Sequence, residues 1–212
     1  MILIDFSQIC NILYTYHINI LGILHIGACD CDELDDYINY FKLLPSNIIW
    51  IDANSQKVID NKLKGIVNIY DYLITDKDDD IIKFNISNDS ESSSILELKD
   101  HTIEYPNIYY LSHQIKKSIT IDTFINKYSI NVNKFNFLLL HIQGSELLAL
   151  NGALKYLNYV KCIYIKIHYK ELYYNNPSVN DLDLFLNNYC FYRVLIKFNN
   201  YGWGDAIYIK KD

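Results

Sequence analysis

The sequence predicts an α/β protein built on a seven-stranded, mostly parallel sheet with an antiparallel final strand. Three observations carry that expectation. Apolar runs of strand length alternate with amphipathic runs of helix length almost from end to end, the pattern of βα units packed on a parallel sheet. The rhythm breaks once, in a polar, Ser-rich stretch near the middle of the chain. Close to the end, two apolar runs are joined by the short loop Tyr201-Gly202-Trp203-Gly204, and strands joined that closely must run antiparallel.

After a variable stretch over residues 1–19, residues 20–26 read as the first strand and 32–43 as a helix that Pro45 closes. Residues 47–52 form a second strand, 55–64 a helix ended by Gly65, and 67–74 a third strand. The stretch 76–118 then holds an acidic turn (76–80), an alternating strand (81–86) and the Ser-rich loop (87–94), a natural lid or substrate loop. Beyond it come a short helix at 122–128, a buried strand at 135–142, a helix at 146–157 and a strand at 160–167. A helix near 179–189 and strands at 192–198 and 206–210 complete the chain. A reversed last strand distinguishes this sheet from the doubly wound oxidoreductase sheet and matches the Rossmann-like class I methyltransferase sheet.

A chain of 212 residues fits one core, so residues 1–212 are read as a single domain. With 50% hydrophobic and 15% aromatic residues it is not a disordered chain. Lys and Arg number 19 against 25 Asp and Glu, a net charge of −6, and Arg193 is the only arginine. That balance offers no cluster to neutralise phosphates, which excludes double-stranded nucleic acid as the main partner and disfavours messenger-RNA cap methylation. No apolar run reaches the ~18 residues of a membrane span, and no basic segment followed by an apolar stretch opens the chain, so a soluble intracellular protein without a membrane partner is expected. Cys10, Cys162 and Cys190 stand alone in apolar surroundings, the habit of buried thiols. Cys29 and Cys31 have no second Cys or His pair at zinc spacing, so no metal site is expected.

Ligands of open parallel sheets bind at the carboxyl ends of strands, where the topology reverses. At the first such end, Gly27 and Ala28 let the backbone approach a ligand, or else make an ordinary tight turn. Asp52 ends the second strand 25 residues after Gly27, near the spacing of a ribose-binding carboxylate; the alternative is an N-cap on the next helix. His141 and His168 end consecutive buried strands, either as structural histidines or as acid/base groups converging on one cleft. Trp203 suits stacking on an acceptor sugar or packing under the hairpin.

These residues resemble the FkbM-type S-adenosylmethionine-dependent methyltransferases, in particular their branch from large viruses and environmental microbes. The resemblance covers about residues 20–212 and rests on LHIGACDCDELDDY (24–37), IWIDA (49–53), ITDKD (74–78), SSSIL (92–96), SITIDTF (118–124), IQGSELLALNG (142–152) and GWGDAIYI (202–209). It implies S-adenosylmethionine as cofactor, with Gly27, Ala28 and Glu33 flanking its methionine portion. Asp52, with Ala53, would hold the ribose, and Asp71 and Asp76 would lie near the adenine. It implies methylation of a hydroxyl on a carbohydrate or other small hydroxylated acceptor, in a cleft lined by His141, His168 and Glu171. The Ser-rich loop, matching a family motif, is expected to face cofactor or acceptor.

The sequence departs from the family where Asp-Ile-Gln-Gly and Glu-Val-Asn are usual: His141 replaces the first acid and Lys166-Ile167-His168 the second motif. A neutral imidazole offers one acceptor nitrogen, and a protonated one repels the cofactor's cationic groups. Two readings follow: an active enzyme in which a histidine serves as base, or a catalytically impaired paralogue that His141→Asp and Lys166→Glu would repair.

Overall fold

The computed structural model describes residues 2–211. Its central sheet holds seven strands: β1 (Ile23–Ile26), β2 (Ile48–Asp52), β3 (Ile69–Asp71), β7 (Phe137–Leu140), β8 (Cys162–His168), β9 (Phe191–Phe198) and β10 (Trp203–Lys210). They lie in the order β3-β2-β1-β7-β8-β10-β9. All pairings among β3, β2, β1, β7 and β8 are parallel, whereas β10 runs antiparallel to both β8 and β9. This is the expected mostly parallel seven-stranded sheet with its reversed last strand.

The central strands are continuous apolar runs because they are covered on both faces. Every residue of β1, β2, β7 and β8 is buried. Leu138, Leu139 and Leu140 have no exposed surface, each contributing about 2 kcal/mol of burial. On one face pack α1 (Phe6–Thr15), α2 (Leu34–Phe41) and α3 (Ser55–Leu63), through Phe6, Ile9, Leu13, Tyr37 and Val58. On the other pack α5 (Ile121–Lys127), α6 (Glu146–Asn151) and α7 (Val179–Asn187), through Phe124, Leu150, Leu182 and Leu186.

Three elements differ from the sequence-based expectation. The variable stretch contains α1, whose Phe6, Ile9 and Leu13 form one buried stripe at helical spacing. The single third strand breaks at Tyr72, whose N–H bonds to the Asp52 carbonyl at 3.1 Å, into β3 and β4 (Leu73–Ile74). β4 leaves the main sheet and joins a three-stranded one with β5 (Ile81–Ser87) and β6 (Tyr110–Ile119), in the order β4-β6-β5. The middle of the chain is therefore an arm with its own sheet, with the short helix α4 (His101–Glu104) in the connection from β5 to β6. Of the three cysteines read as buried thiols only Cys162 is; Cys10 is half-buried, and Cys190 is exposed in the turn after α7, with φ +63°.

Candidate functional site

The strand order reverses between β1 and β7, and a crevice opens at their carboxyl ends. Gly27 follows β1 with φ +87°, and a Cβ there would lie 2.1 Å from the His141 carbonyl oxygen, so only glycine fits. The turn after it is bonded down: Gly27 and Ala28 N–H donate to the Ile51 carbonyl at 2.8 and 3.2 Å. Cys29 and Cys31 also take positive φ, +46° and +57°, which packs the backbone tightly below the crevice.

Asp52 faces this turn from the end of β2. Its Oδ2 accepts from Cys29 N–H and its Oδ1 from Asn54 N–H, each at 2.7 Å. Each oxygen keeps a second lone pair for a ligand hydroxyl. Burial pushes the carboxyl up, while the two backbone donors pull it back. The helix cap is another residue: Asn54 accepts from Gln56 and Lys57 N–H at 3.1 and 3.4 Å. Asp52 is thus not the N-cap of α3.

The cleft has a volume of about 390 Å³, within the usual range for a small-molecule site. Gly27, Ala28, Glu33, Asp52, Ala53 and His141 all line it. So do the apolar Leu73, Ile74, Phe84 and Ile95, and Ser90, Glu91 and Ser93 of the Ser-rich loop. Asp5, Asp30, Asp32 and Asp36 add further carboxylates, against Lys57, which is paired with Asp30 at 2.6 Å. Burial raises the Glu33 carboxyl to about 7. The field in the cleft favours a cation.

Asp71 and Asp76 do not line the cleft. Asp71 is exposed and ion-paired with Lys116. The predicted trio of His141, His168 and Glu171 does not converge either. Glu171 is half-buried at the surface, where Lys99 holds its carboxyl below the usual range. His168 lies inside the fold with Nε2 lacking a partner among the described residues, and burial with nearby Lys166 lowers its pKa to about 3. The strand runs through His168 rather than stopping before it, so this ring belongs to the packed face of β8.

His141 alone of the three reaches the cleft. Its Nε2 lies 3.3 Å from Oδ1 of Asp205, a fully buried carboxylate that also accepts from Leu3 N–H at 2.6 Å and from the Tyr164 hydroxyl. Burial keeps the imidazole neutral, with Asp205 opposing, and His141 in turn helps hold Asp205 below its ordinary range. Against an ionised Asp205, Nε2 carries the proton and Nδ1 is the acceptor. The turn after His141 takes its shape from Glu146, whose two oxygens accept from Ile142 and Gly144 N–H at 3.0 and 2.9 Å. Burial raises this carboxyl too, to about 7. Asp205 and Glu146 fall inside the motifs GWGDAIYI and IQGSELLALNG without standing out as site residues, since one reads as following a turn and the other as opening a helix.

Residues 25–194 match the family described as methyltransferase FkbM domain. The chain belongs to the FkbM methyltransferase family. The members of this family take the methyl group from S-adenosylmethionine. Among solved structures, magnesium protoporphyrin IX methyltransferase (ChlM) from Synechocystis PCC 6803 with bound SAM is similar at 7% identity and a TM-score of 0.43, covering 97% of this chain and 78% of that one. The same enzyme with bound SAH gives 6% identity and a TM-score of 0.44, with coverages of 97% and 81%. No curated protein matches the sequence.

The residues present fit the family's cofactor. The Gly27 cradle admits no Cβ, Asp52 retains acceptor capacity for two hydroxyls, and the acidic cleft suits a sulfonium and an ammonium. The apolar wall of Leu73, Ile74 and Phe84 offers a slot for a flat ring. Among the described residues no helix is long and apolar enough to cross a membrane.

Proposed function

We propose that this FkbM-family methyltransferase transfers the methyl group of S-adenosylmethionine to a hydroxyl of a carbohydrate or similar small hydroxylated acceptor. The observation that carries the cofactor's placement is the pairing of the Gly27 turn with Asp52, both facing an acid-rich cleft. Gly27, Ala28 and Glu33 flank the methionine portion, Asp52 and Ala53 hold the ribose, and the adenine lies on Leu73, Ile74 and Phe84 rather than beside Asp71 and Asp76. The bound cofactor supplies an electrophilic methyl group on a good leaving group. The chain's tasks are then to align the acceptor oxygen and receive its proton.

We read residues 1–212 as one domain. Five unpaired cysteines support an intracellular setting, and the abundance of Ile, Asn, Tyr and Lys, residues encoded by AT-rich codons, supports the branch from large viruses and environmental microbes. The impaired-paralogue reading rests on the lost strand-end acids. Asp205 weakens it, because a carboxylate from β10 stands against His141 and opposite Lys166 in register.

Calorimetric titration with S-adenosylmethionine tests the reading. Saturable heat is expected, and Asp52→Ala should weaken binding by about 10- to 100-fold, since bonds to a charged acceptor contribute about 1.5–3 kcal/mol each. Absence of both heat and a thermal shift in the unaltered protein would refute cofactor binding.

A further inference from the structure

Behind the cofactor cleft lies a second cavity of about 290 Å³. Glu91 and Gln143 border both spaces, so the two share a wall. Three aromatic rings, Trp203, Tyr105 and Tyr201, line the second cavity together with Asn199, Asp89 and Lys166. Flat rings beside amide and carboxylate groups suit a polyhydroxylated ring, which presents apolar C–H faces and polar edges.

Lys166 is the unusual member. It is only 5% exposed, yet no hydrogen bond or ion pair holds its Nζ among the described residues. The atom sits 3.8 Å from the centre of the Trp203 ring. Carboxylates approach from three elements: Asp205 on β10, Glu146 on α6, and Asp89 with Glu91 in the Ser-rich loop. His101 of α4, His168 two residues on along β8 and His141 in the turn after β7 complete its surroundings, and burial keeps all three imidazoles neutral.

Resting on the hydroxyl-methylation reading, we propose that this second cavity receives the acceptor as an uncharged polyhydroxylated ring, and that Lys166 Nζ takes the proton of the methylated hydroxyl. The acceptor oxygen bonds to the methyl carbon as the carbon–sulfur bond breaks, and the sulfur keeps that electron pair and loses its positive charge. The hydroxyl proton passes to the free-base form of the amine, which becomes an ammonium. Burial lowers the Lys166 amine below its ordinary range, while Asp205 and Glu146 lead the groups that oppose it. The free base is thus more accessible than on an exposed lysine, and the ammonium formed is stabilised by the Trp203 face and the surrounding acids. Asp89 disfavours phosphate or carboxylate on the acceptor, because like charges repel in a partly buried site.

Carbon-13 NMR of lysine-labelled protein, with the Lys166 signal assigned by its loss in Lys166→Met, reads the proposal without turnover. The Lys166 signal should titrate below the surface lysines, and it should shift on adding methyl α-glucoside but not methyl α-glucuronide. Titration with the bulk lysines, no response to the glucoside, or a larger response to the glucuronide would overturn the proposal. In methyl-transfer assays against the same glycosides, Lys166→Met should lose about 10²- to 10⁴-fold in turnover with cofactor affinity unchanged. Undiminished turnover in that variant would overturn the role of Lys166 while leaving hydroxyl methylation standing. Loss of cofactor binding in the unaltered protein would instead strike the broader reading.

Discussion

At the scale of single residues, the chemistry of this family member turns on where its carboxylates have gone. His141 stands where the family resemblance leads one to expect an acid, but its imidazole is held by Asp205, which also takes the Leu3 N–H and the Tyr164 hydroxyl. Returning an acid to position 141 would set two carboxylates against each other. His141→Asp is therefore expected to destabilise the protein by about 3 kcal/mol at pH 7 in thermal or urea unfolding. The shared proton raises one folded-state pKa above its unfolded value, so the deficit grows as pH rises through the folded pKa and shrinks in acid. A gain in stability at neutral pH would contradict this account of the pair. Glu33 supplies a second pH dependence. Burial lifts its carboxyl from 4.5 to about 7, so its contribution to stability of the free protein is fully present below 4.5 and lost as pH rises toward 7. A cationic cofactor favours the ionised form, so affinity measured by calorimetry should climb as pH rises through about 7 and then level off. Glu33→Gln should flatten that climb, and a slope that persists in this variant would assign it to another group.

At the scale of elements, the strand-to-helix turn after β1 is the piece with least tolerance. Its glycine touches the His141 carbonyl so closely that a methyl group must move β1 away from β7. Gly27→Ala should cost about 2 kcal/mol or more of stability and abolish cofactor binding, checked by urea unfolding beside calorimetry. A variant that binds normally would show that the turn is not the cradle. This turn was legible because Gly27 and Asp52 fall where a parallel sheet must place a ligand. The strands of the central sheet were legible because burial on both faces leaves unbroken apolar runs. Other elements were hidden for physical reasons. β6, the middle strand of the arm, leaves most of its side chains in solvent and buries only its last two residues, so its sequence is largely polar and reads as loop. The break at Tyr72 depends on β4 changing partners from the main sheet to β6, which leaves no mark on a continuous apolar run. His168 and Lys166 share one face of β8, yet only Lys166 lines the second cavity, because the depth of a side chain is set by what packs against it. Trp203 and Gly204, read as a turn, begin β10 and thereby set Asp205 within the sheet rather than at its edge.

At the scale of the whole molecule, two layers of helices fix the sheet while the arm from β4 to β6 carries the Ser-rich loop back over the crevice. Ser94 bonds the Gln143 carbonyl at 2.8 Å, and the Gln143 side-chain amide donates to the Glu91 carbonyl, so the arm is tied to the turn after β7. That tie makes the wall shared by the two cavities, and it joins the position of the loop to the position of His141. The site is thus assembled from distant parts of the chain, such as those joined by the bond from Leu3 N–H to Asp205, across 202 positions. A ribosome delivers Leu3 long before Asp205 exists. The carboxylate that balances His141 therefore gains its full set of donors only once β10 has been made, and contacts of such separation form slowly. Until then the first residues have no acceptor and the mouth of the cleft, which Ile2, Asp5 and Phe6 help to wall, stays unbuilt. The mouth of this cleft thus waits on β10, however early the strands beneath it are made.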